Sequence, residues 1–261
     1  MATVGAVATP EPFYSDREQI AIDLPGTRVV FTTRRGGVSQ GSYASLNLGF
    51  LTDDDPAAVA SNRRRLETDY GVELAWGRQV HGARVEIREA GNDSLGIGPG
   101  EAAEADGQAT AAPGVAPMVL TADCLGIAIA GGGAVAVVHA GWRGLAEGVI
   151  EHGIRAVREL CDSPTGGRSE PLSAAIGPAA GACCYEVGEE VHAQFADLGS
   201  GIRRGRNLDM SAIATLQLRA AGVAEVHDVG LCTICSEPSL FYSHRREHGL
   251  TGRQAAIAWL S

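Results

Sequence analysis

The pattern of apolar positions is strongest over residues 121–144, where it predicts a β-hairpin that leads into a helix. Two apolar runs, 125–130 and 134–138, have the length and the branched side chains of buried strands. Apolar residues between 145 and 160 then recur at intervals near 3.6, which is the helical period. The hairpin and the helix after it therefore form the predicted centre of the fold.

The turn of this hairpin determines which side chains meet. Three glycines separate the two runs, and a Gly-Gly pair favours a two-residue turn because both of its residues need positive φ. If Gly131 and Gly132 form the turn, Cys124 lies directly opposite His139 on one face of the sheet. A slip of one residue would separate the two side chains.

Shorter patterns predict the remaining elements. Three aspartates before Pro56 indicate a helix start, and the helix runs to about Tyr70. Strands are predicted over 27–33, 74–80, 83–88, 115–120, 172–176, 225–229 and 251–260, and further helices over 187–198 and 210–221. Irregular segments are predicted over 1–18 (a loose N-terminal segment), 34–49 (a long loop), 91–107 (an acidic, glycine-rich loop) and 162–171 (a polar linker). Because no change in composition marks a boundary, residues 1–261 are predicted to form a single α/β domain.

Composition narrows the classes of function. The formal net charge of −10 argues against a nucleic-acid-binding or anionic membrane-binding surface, but leaves room for a small anion bound by arginines. The chain contains no lysine, which excludes Schiff-base and P-loop lysine chemistry. No apolar run approaches the ~20 residues of a membrane span, and residues 1–13 lack the features of a signal peptide, so a cytoplasmic location is expected.

Six cysteines are too few for a disulfide scaffold of this size, which favours metal binding or catalysis. The predicted pair of Cys124 and His139 gains a third ligand in His81, which lies at a turn between two predicted strands. One thiolate and two imidazoles suit Zn²⁺ and leave the fourth tetrahedral position open, as in catalytic zinc sites.

The same set of ligands describes a blue-copper site with Met118 as the axial ligand, so copper is the alternative. Seven histidines are too few for the additional copper centres of a laccase.

The other cysteines give weaker signals. Cys232 and Cys235 form one CxxC, and no second CxxC completes a zinc knuckle, so the pattern favours a purely structural interpretation. Cys183 and Cys184 are adjacent, and adjacent cysteines do not easily chelate one ion together. Their role is left open.

Seven segments, in order along the chain, together resemble one known family: TRRGGVSQGSYASLNLG, QVHG, ADG, TADCL, HAGWRG, IGP with CCYEV, and FYSHRR followed by TGR. This is the YfiH-like, laccase-domain or "polyphenol oxidase" family, whose bacterial members resemble purine nucleoside phosphorylases. The resemblance covers about residues 27–260. It implies a compact α/β fold of layered mixed β-sheets flanked by helices, related to a toxin cysteine-hydrolase domain.

The resemblance also implies a function. It is that of a zinc enzyme that cleaves adenosine, inosine, guanosine or methylthioadenosine with phosphate, giving free base and ribose 1-phosphate, and that deaminates adenosine as a side activity. The family's zinc ligands fall on His81, Cys124 and His139. The expected partners are a small purine nucleoside and phosphate. The sequence does not decide between a monomer and a dimer.

Roles for the other residues of the matching segments follow from their chemistry. Arginines of these segments are expected to hold phosphate: Arg34, Arg143 in the first turn of a helix, and Arg245. Asn47 is expected to hydrogen-bond the sugar or the base. Asp123 and Asp106 are candidates for moving protons, although Asp123 could equally brace the hairpin.

The chain departs from the family pattern at three positions: Gly126 stands in place of proline, Ala179 in place of cysteine, and His244 in place of an aromatic residue. The third change leaves the specificity open. Two other functions remain as alternatives: a copper-dependent polyphenol oxidase, and a non-catalytic protein that binds nucleotides or cell-wall fragments around a structural metal.

Overall fold

The structure is a computed structural model that describes residues 7–91, 102–161 and 171–261. Its strands, β1 to β14, are Tyr14–Asp16, Gln19–Leu24, Thr27–Phe31, Glu73–Ala75, Val85–Ile87, Gly107–Thr110, Val115–Thr121, Leu125–Gly131, Ala134–Ala140, Leu172–Ile176, Arg203–Arg204, Asn207–Leu208, Val223–Asp228 and Gln254–Leu260. Its α-helices, α1 to α5, are Pro56–Tyr70, Trp142–Ala146, Val149–Cys161, Glu189–Ala193 and Met210–Ala220. Short 3-10 helices occupy Gly41–Tyr43, Ala196–Leu198 and Ser200–Ile202. No helix of the described ranges is both long and apolar enough to cross a membrane.

Two six-stranded mixed sheets form the centre of the molecule. The first has the strand order β1-β2-β3-β14-β7-β4, and only the β4–β7 pair is parallel. The second has the order β13-β10-β8-β9-β6-β5, in which β5–β6 and β10–β13 are parallel. The prediction of an α/β fold with layered mixed sheets is therefore confirmed.

Three apolar clusters show how the layers pack. One joins the facing sides of the two sheets, with Phe31 and Ala256 from the first and Val137 from the second. A second packs α3 and α5 on the outer face of the second sheet. The third places α1 on the outer face of the first sheet through Leu66. The order of layers is thus helix, sheet, sheet, helix.

Helix α1 matches its prediction because its caps are encoded locally. The Asp55 side chain accepts a hydrogen bond from the Ala57 N–H, and Pro56 occupies the first helical position. Gly71 ends the helix in the left-handed region, at φ 67°.

Other elements differ from the prediction. The helix expected after the hairpin is two helices, α2 and α3, because Gly148 between them has φ 84°. The helix expected over 187–198 is reduced to the five residues of α4 and a 3-10 turn. Strand β1 lies within the segment that was expected to be loose. Most of the predicted 91–107 loop and of the 162–171 linker lies outside the described residues.

The predicted hairpin register is wrong. Strands β8 and β9 pair so that Gly126 lies opposite His139, and the turn is Gly132-Gly133, with φ values of 58° and 80°. Three consecutive glycines allow the turn at either of two places, so the sequence alone does not fix it. Extending the observed register by one pair brings Cys124 opposite Gly141, and makes His139 its diagonal neighbour on the same face.

Candidate active site

A cleft of about 390 Å³ opens at the end of the hairpin where β7 leads into β8. Its lining includes His81, Cys124 and His139, together with the side chains of Tyr185 and Arg245. The volume lies within the range of ~300–1,000 Å³ that is typical of small-molecule sites.

His81, Cys124 and His139 converge from three separate segments. Their candidate ligand atoms all lie within 4.8 Å of one another. The rings of His81 and His139 meet edge to face, with their centres 4.9 Å apart. His81 has φ 62° in the turn between β4 and β5, whereas His139 lies on β9 and Cys124 lies just before β8. Gly141 leaves room for the thiol, since a Cβ at that position would lie 3.0 Å from Cys124 Sγ.

Asp106 accepts hydrogen bonds from two of these three residues. Its Oδ1 accepts hydrogen bonds from His139 Nδ1 at 2.8 Å and from the His81 N–H at 2.9 Å. Its Oδ2 accepts from the N–H groups of Val80 at 3.0 Å and Gly82 at 2.8 Å. With Nδ1–H donated to a carboxylate, His139 keeps Nε2 for a metal ion. Asp106 is fully buried and does not line the cleft, so its contacts favour a positioning role over the predicted proton transfer.

The Cys124 thiol and the His139 imidazole each shift the pKa of the other. Burial alone would raise the pKa of Cys124, but the adjacent His139 and His81 outweigh burial and bring that pKa down to about 6. Burial likewise would lower the pKa of His139, but the Cys124 thiolate and Asp106 raise it to about 9. The pKa of Asp106 is lowered, because donation from His139 and the turn N–H groups outweighs its burial.

This set of donors fits a metal ion of intermediate softness. A thiolate and two imidazoles bind zinc and copper well, and three protein ligands leave one coordination position open. The expected axial ligand for copper does not lie at the site, because Met118 packs in the apolar cluster under α1 and does not line the cleft.

The structure separates the three arginines that the sequence grouped. Arg245 lines the cleft, and its guanidinium lies 5.3 Å from the ring centre of Tyr185. Arg34 does not line it: its NH1 donates to Glu247 Oε1 at 2.7 Å, and its guanidinium stacks on Tyr242. Arg143 is also outside the lining, on the ring of Trp142.

Two further predicted residues have partners within the chain. The buried Asn47 amide donates to Thr52 and Asp54 at 2.9 Å, and its oxygen accepts from the Arg253 N–H, so it orders the loop and does not line the cleft. Asp123 does line the cleft, at φ 91°. Its oxygens accept from the Thr233 hydroxyl at 2.6 Å and from the Arg245 N–H at 2.7 Å, contacts that fit the alternative bracing role.

Sequence reasoning missed three arginines that line the cleft: Arg63, Arg78 and Arg253. Arg253 belongs to the matched TGR segment, and burial lowers the pKa of its guanidinium. Arg63 is fully buried between the rings of Phe50 and Trp76, at 4.3 and 4.5 Å from their centres, and burial brings its pKa down to about 9. The TGR match could have indicated Arg253, whereas the sequence carries no signal for Arg63.

The structure also brings four of the other cysteines together. Cys183, Cys184, Cys232 and Cys235 form a second cluster whose sulfur atoms all lie within 4.8 Å of one another. Cys183 and Cys184 thus bring two further thiols to the single CxxC. None of the four lines the cleft.

Comparison with known proteins adds three kinds of match. The family model described as "Multi-copper polyphenol oxidoreductase laccase" matches residues 28–261. A purine nucleoside phosphorylase of Pseudomonas aeruginosa is 40% identical over 244 residues, covering 89% of this chain and 93% of the relative. A protein of the same name from Deinococcus radiodurans is 40% identical over 240 residues, covering 88% of each chain.

Solved structures with the same fold include YlmD from Geobacillus stearothermophilus, with a TM-score of 0.84 at 32% identity, covering 96% of this chain and 99% of that one. The Bacillus licheniformis hypothetical protein YfiH gives a TM-score of 0.85 at 27% identity, covering 97% of this chain and 100% of that one.

Proposed function

The chain belongs to the multi-copper polyphenol oxidoreductase laccase family, as its sequence segments indicated, and from this premise we propose that it is a zinc-dependent purine nucleoside phosphorylase. Support comes from the relatives of that name at 40% identity, which imply a purine nucleoside and phosphate as substrates. The observation that carries the proposal is one cleft lined both by the His81, Cys124 and His139 group and by the arginines Arg245 and Arg253.

In the proposed reaction a phosphate oxygen forms a bond to C1′ of the ribose while the bond from C1′ to the purine nitrogen breaks. The bonding electron pair leaves with the base, which then takes up a proton. Arg245 and Arg253 would bind the phosphate through charge-assisted hydrogen bonds and so hold it in line with the breaking bond. The ring of Tyr185 offers an apolar face for the purine.

His81, Cys124 and His139 would hold the zinc ion, which when bound would act as a Lewis acid on a substrate oxygen. Asp106 keeps the His139 ring oriented through Nδ1 and holds the turn that carries His81. Asp123 fixes the loop of Arg245, and we assign it to positioning as well.

The finer parts of the proposal concern specificity. We include adenosine, inosine, guanosine and methylthioadenosine as substrates. Deamination of adenosine is included as a side activity, in which water adds at C6 of the adenine and ammonia leaves. His244 lines the cleft where the family pattern has an aromatic side chain, so it is the residue to vary when these substrates are ranked. The single domain and the cytoplasmic location stay predictions.

The test is release of hypoxanthine from inosine by the zinc-loaded protein, with and without phosphate, followed by chromatography of the base and of ribose 1-phosphate. We expect phosphate-dependent release that is lost in Cys124→Ala. Arg253→Met should raise KM for phosphate, whereas Arg143→Met, outside the cleft, is the matched control and should not. Absence of release, or release that is independent of phosphate, would refute the proposal. Oxidation of a catechol by the copper-loaded protein would favour the polyphenol oxidase alternative.

A further inference from the structure

The second cysteine cluster joins two segments that are distant in the chain. Cys183 and Cys184 lie in a turn after β10, and Cys232 and Cys235 lie in the loop after β13. The parallel pairing of β10 with β13 brings these two connections to the same end of the sheet. Cys183 and Cys235 have their sulfur atoms 3.5 Å apart.

The backbone around Cys232 is arranged to receive a negatively charged sulfur. The Gly181 N–H donates to Cys232 Sγ at 3.3 Å. The N–H groups of Cys235 and Ile234 also donate to this sulfur. Amide groups directed at a cysteine sulfur favour the thiolate, the form that binds metal.

We propose that Cys183, Cys184, Cys232 and Cys235 bind a second zinc ion in a closed, structural site. Four thiolates at the usual Zn–S distance of about 2.3 Å lie about 3.8 Å from one another in a tetrahedron. The observed cluster, with all four sulfurs within 4.8 Å, needs only a small contraction to reach that arrangement. Four protein ligands leave no position for substrate, which distinguishes this site from the one in the cleft.

The proposed ion would hold together two segments that adjoin the lining of the cleft. Cys184 directly precedes Tyr185, and both residues belong to the turn that Gly181 begins. Thr233, inside the CxxC, donates its hydroxyl to Asp123 and so reaches the residue before Cys124. Zinc at the cysteine cluster is therefore expected to stabilise the cleft without taking part in its chemistry.

A disulfide between Cys183 and Cys235 is the competing use of the same cluster. It would consume two of the four thiolates, so the protein cannot hold the proposed ion and this disulfide together. The two states differ by the mass of two hydrogen atoms and by one zinc ion, which makes them separable by measurement.

The test counts zinc in the full chain, purified under reducing conditions and dialysed against zinc-free buffer, by elemental mass spectrometry. We expect two ions per chain in the wild type, one in Cys183→Ser/Cys235→Ser, and one in Cys124→Ala. Cys161→Ser changes a cysteine outside both clusters and is the matched control, with two ions expected. Two ions in the double variant, or one ion in the wild type with a Cys183–Cys235 disulfide in its peptide map, would overturn the proposal.

A second measurement does not require the cluster variant to fold. Cobalt replaces zinc in thiolate sites and gives an intense sulfur-to-metal charge-transfer absorption. In Cys124→Ala the cleft site no longer offers a sulfur ligand, so any such absorption must come from the second cluster. We expect strong absorption at one cobalt per chain. Its absence would overturn the proposal whether or not the protein cleaves nucleosides.

Discussion

Asp106→Asn is the most informative change at the cleft, because it keeps the size of the side chain and removes half of its capacity to accept hydrogen bonds. The native carboxylate accepts four, two at each oxygen. An asparagine amide must direct its NH₂ group at one of those two pairs of donors. If it faces His139, the imidazole must accept at Nδ1 and carry its proton on Nε2, where the metal ion would bind. If it faces the other way, the N–H groups of Val80 and Gly82 lose their acceptor.

The expected losses of stability and of zinc affinity follow from the number of hydrogen bonds that the asparagine cannot accept. One buried donor is left unpaired in the first orientation and two in the second, at about 1–3 kcal/mol each, or about 1–6 kcal/mol of unfolding free energy in the metal-free protein. A typical domain has about 5–15 kcal/mol in total, so the variant should still fold. Zinc affinity at the cleft should fall about 10- to 100-fold, the usual effect of removing a group that orients a metal ligand.

Urea denaturation of the metal-free protein and competition with a chromogenic zinc chelator measure these two effects. Asp209→Ala is the control, since Asp209 caps α5 with a hydrogen bond from the Ala212 N–H and its loss should lower stability by about 1 kcal/mol without changing zinc affinity. Because the pKa of Asp106 is lowered by folding, its contribution is present above the ordinary carboxyl pKa and is lost as the pH falls through the folded-state value. Unchanged zinc affinity in Asp106→Asn would refute the positioning role.

Two further changes test the space and the charge around the thiol. Gly141→Ala places a Cβ 3.0 Å from Cys124 Sγ. The resulting overpacking of about 1–3 kcal/mol should weaken zinc binding roughly ten- to hundredfold. Gly201→Ala is the control and should not alter zinc binding, because its Cβ meets nothing within 4 Å. In the metal-free protein the alkylation rate of Cys124, followed by peptide mass spectrometry, should rise with a midpoint near pH 6, since the thiol pKa is about 6. His139→Gln should raise that midpoint, and an unchanged midpoint would contradict the assigned cause.

The hairpin shows why a wrong register still led to residues that the structure brings together. The turn lies one residue later than predicted, which moves the partner of Cys124 from His139 to the position of Gly141. Such a shift is two residues along the opposite strand, and side chains two residues apart share a face of the sheet. His139 therefore stays on the face of Cys124, as a diagonal neighbour. A shift of the strand pairing by one residue, instead of two, would have placed the two side chains on opposite faces of the sheet.

The arginines show where local sequence information ends. Arg34 and Arg245 both lie in segments that match the family, yet only Arg245 lines the cleft. What distinguishes them is a tertiary contact: Glu247, 213 residues further along the chain, pairs with the Arg34 guanidinium at 2.7 Å. A sequence motif shows which chemistry a side chain could supply. Whether the positive charge of an arginine is available to a substrate depends on the carboxylates that the fold places beside it.

The cysteine cluster carries this reasoning one step further. Counting CxxC motifs finds only sites whose ligands are close in sequence, so the absence of a second CxxC says nothing about ligands supplied by another loop. Here the parallel β10–β13 pair aligns two connections whose cysteines are about fifty residues apart, as the 52-residue separation of Cys183 and Cys235 shows. The adjacent position of Cys183 and Cys184 also ceases to argue against a shared ion, because a tight turn directs both side chains to one side. Strand order is therefore the information that the metal prediction lacked, and strand order follows from long-range packing rather than from spacing along the chain.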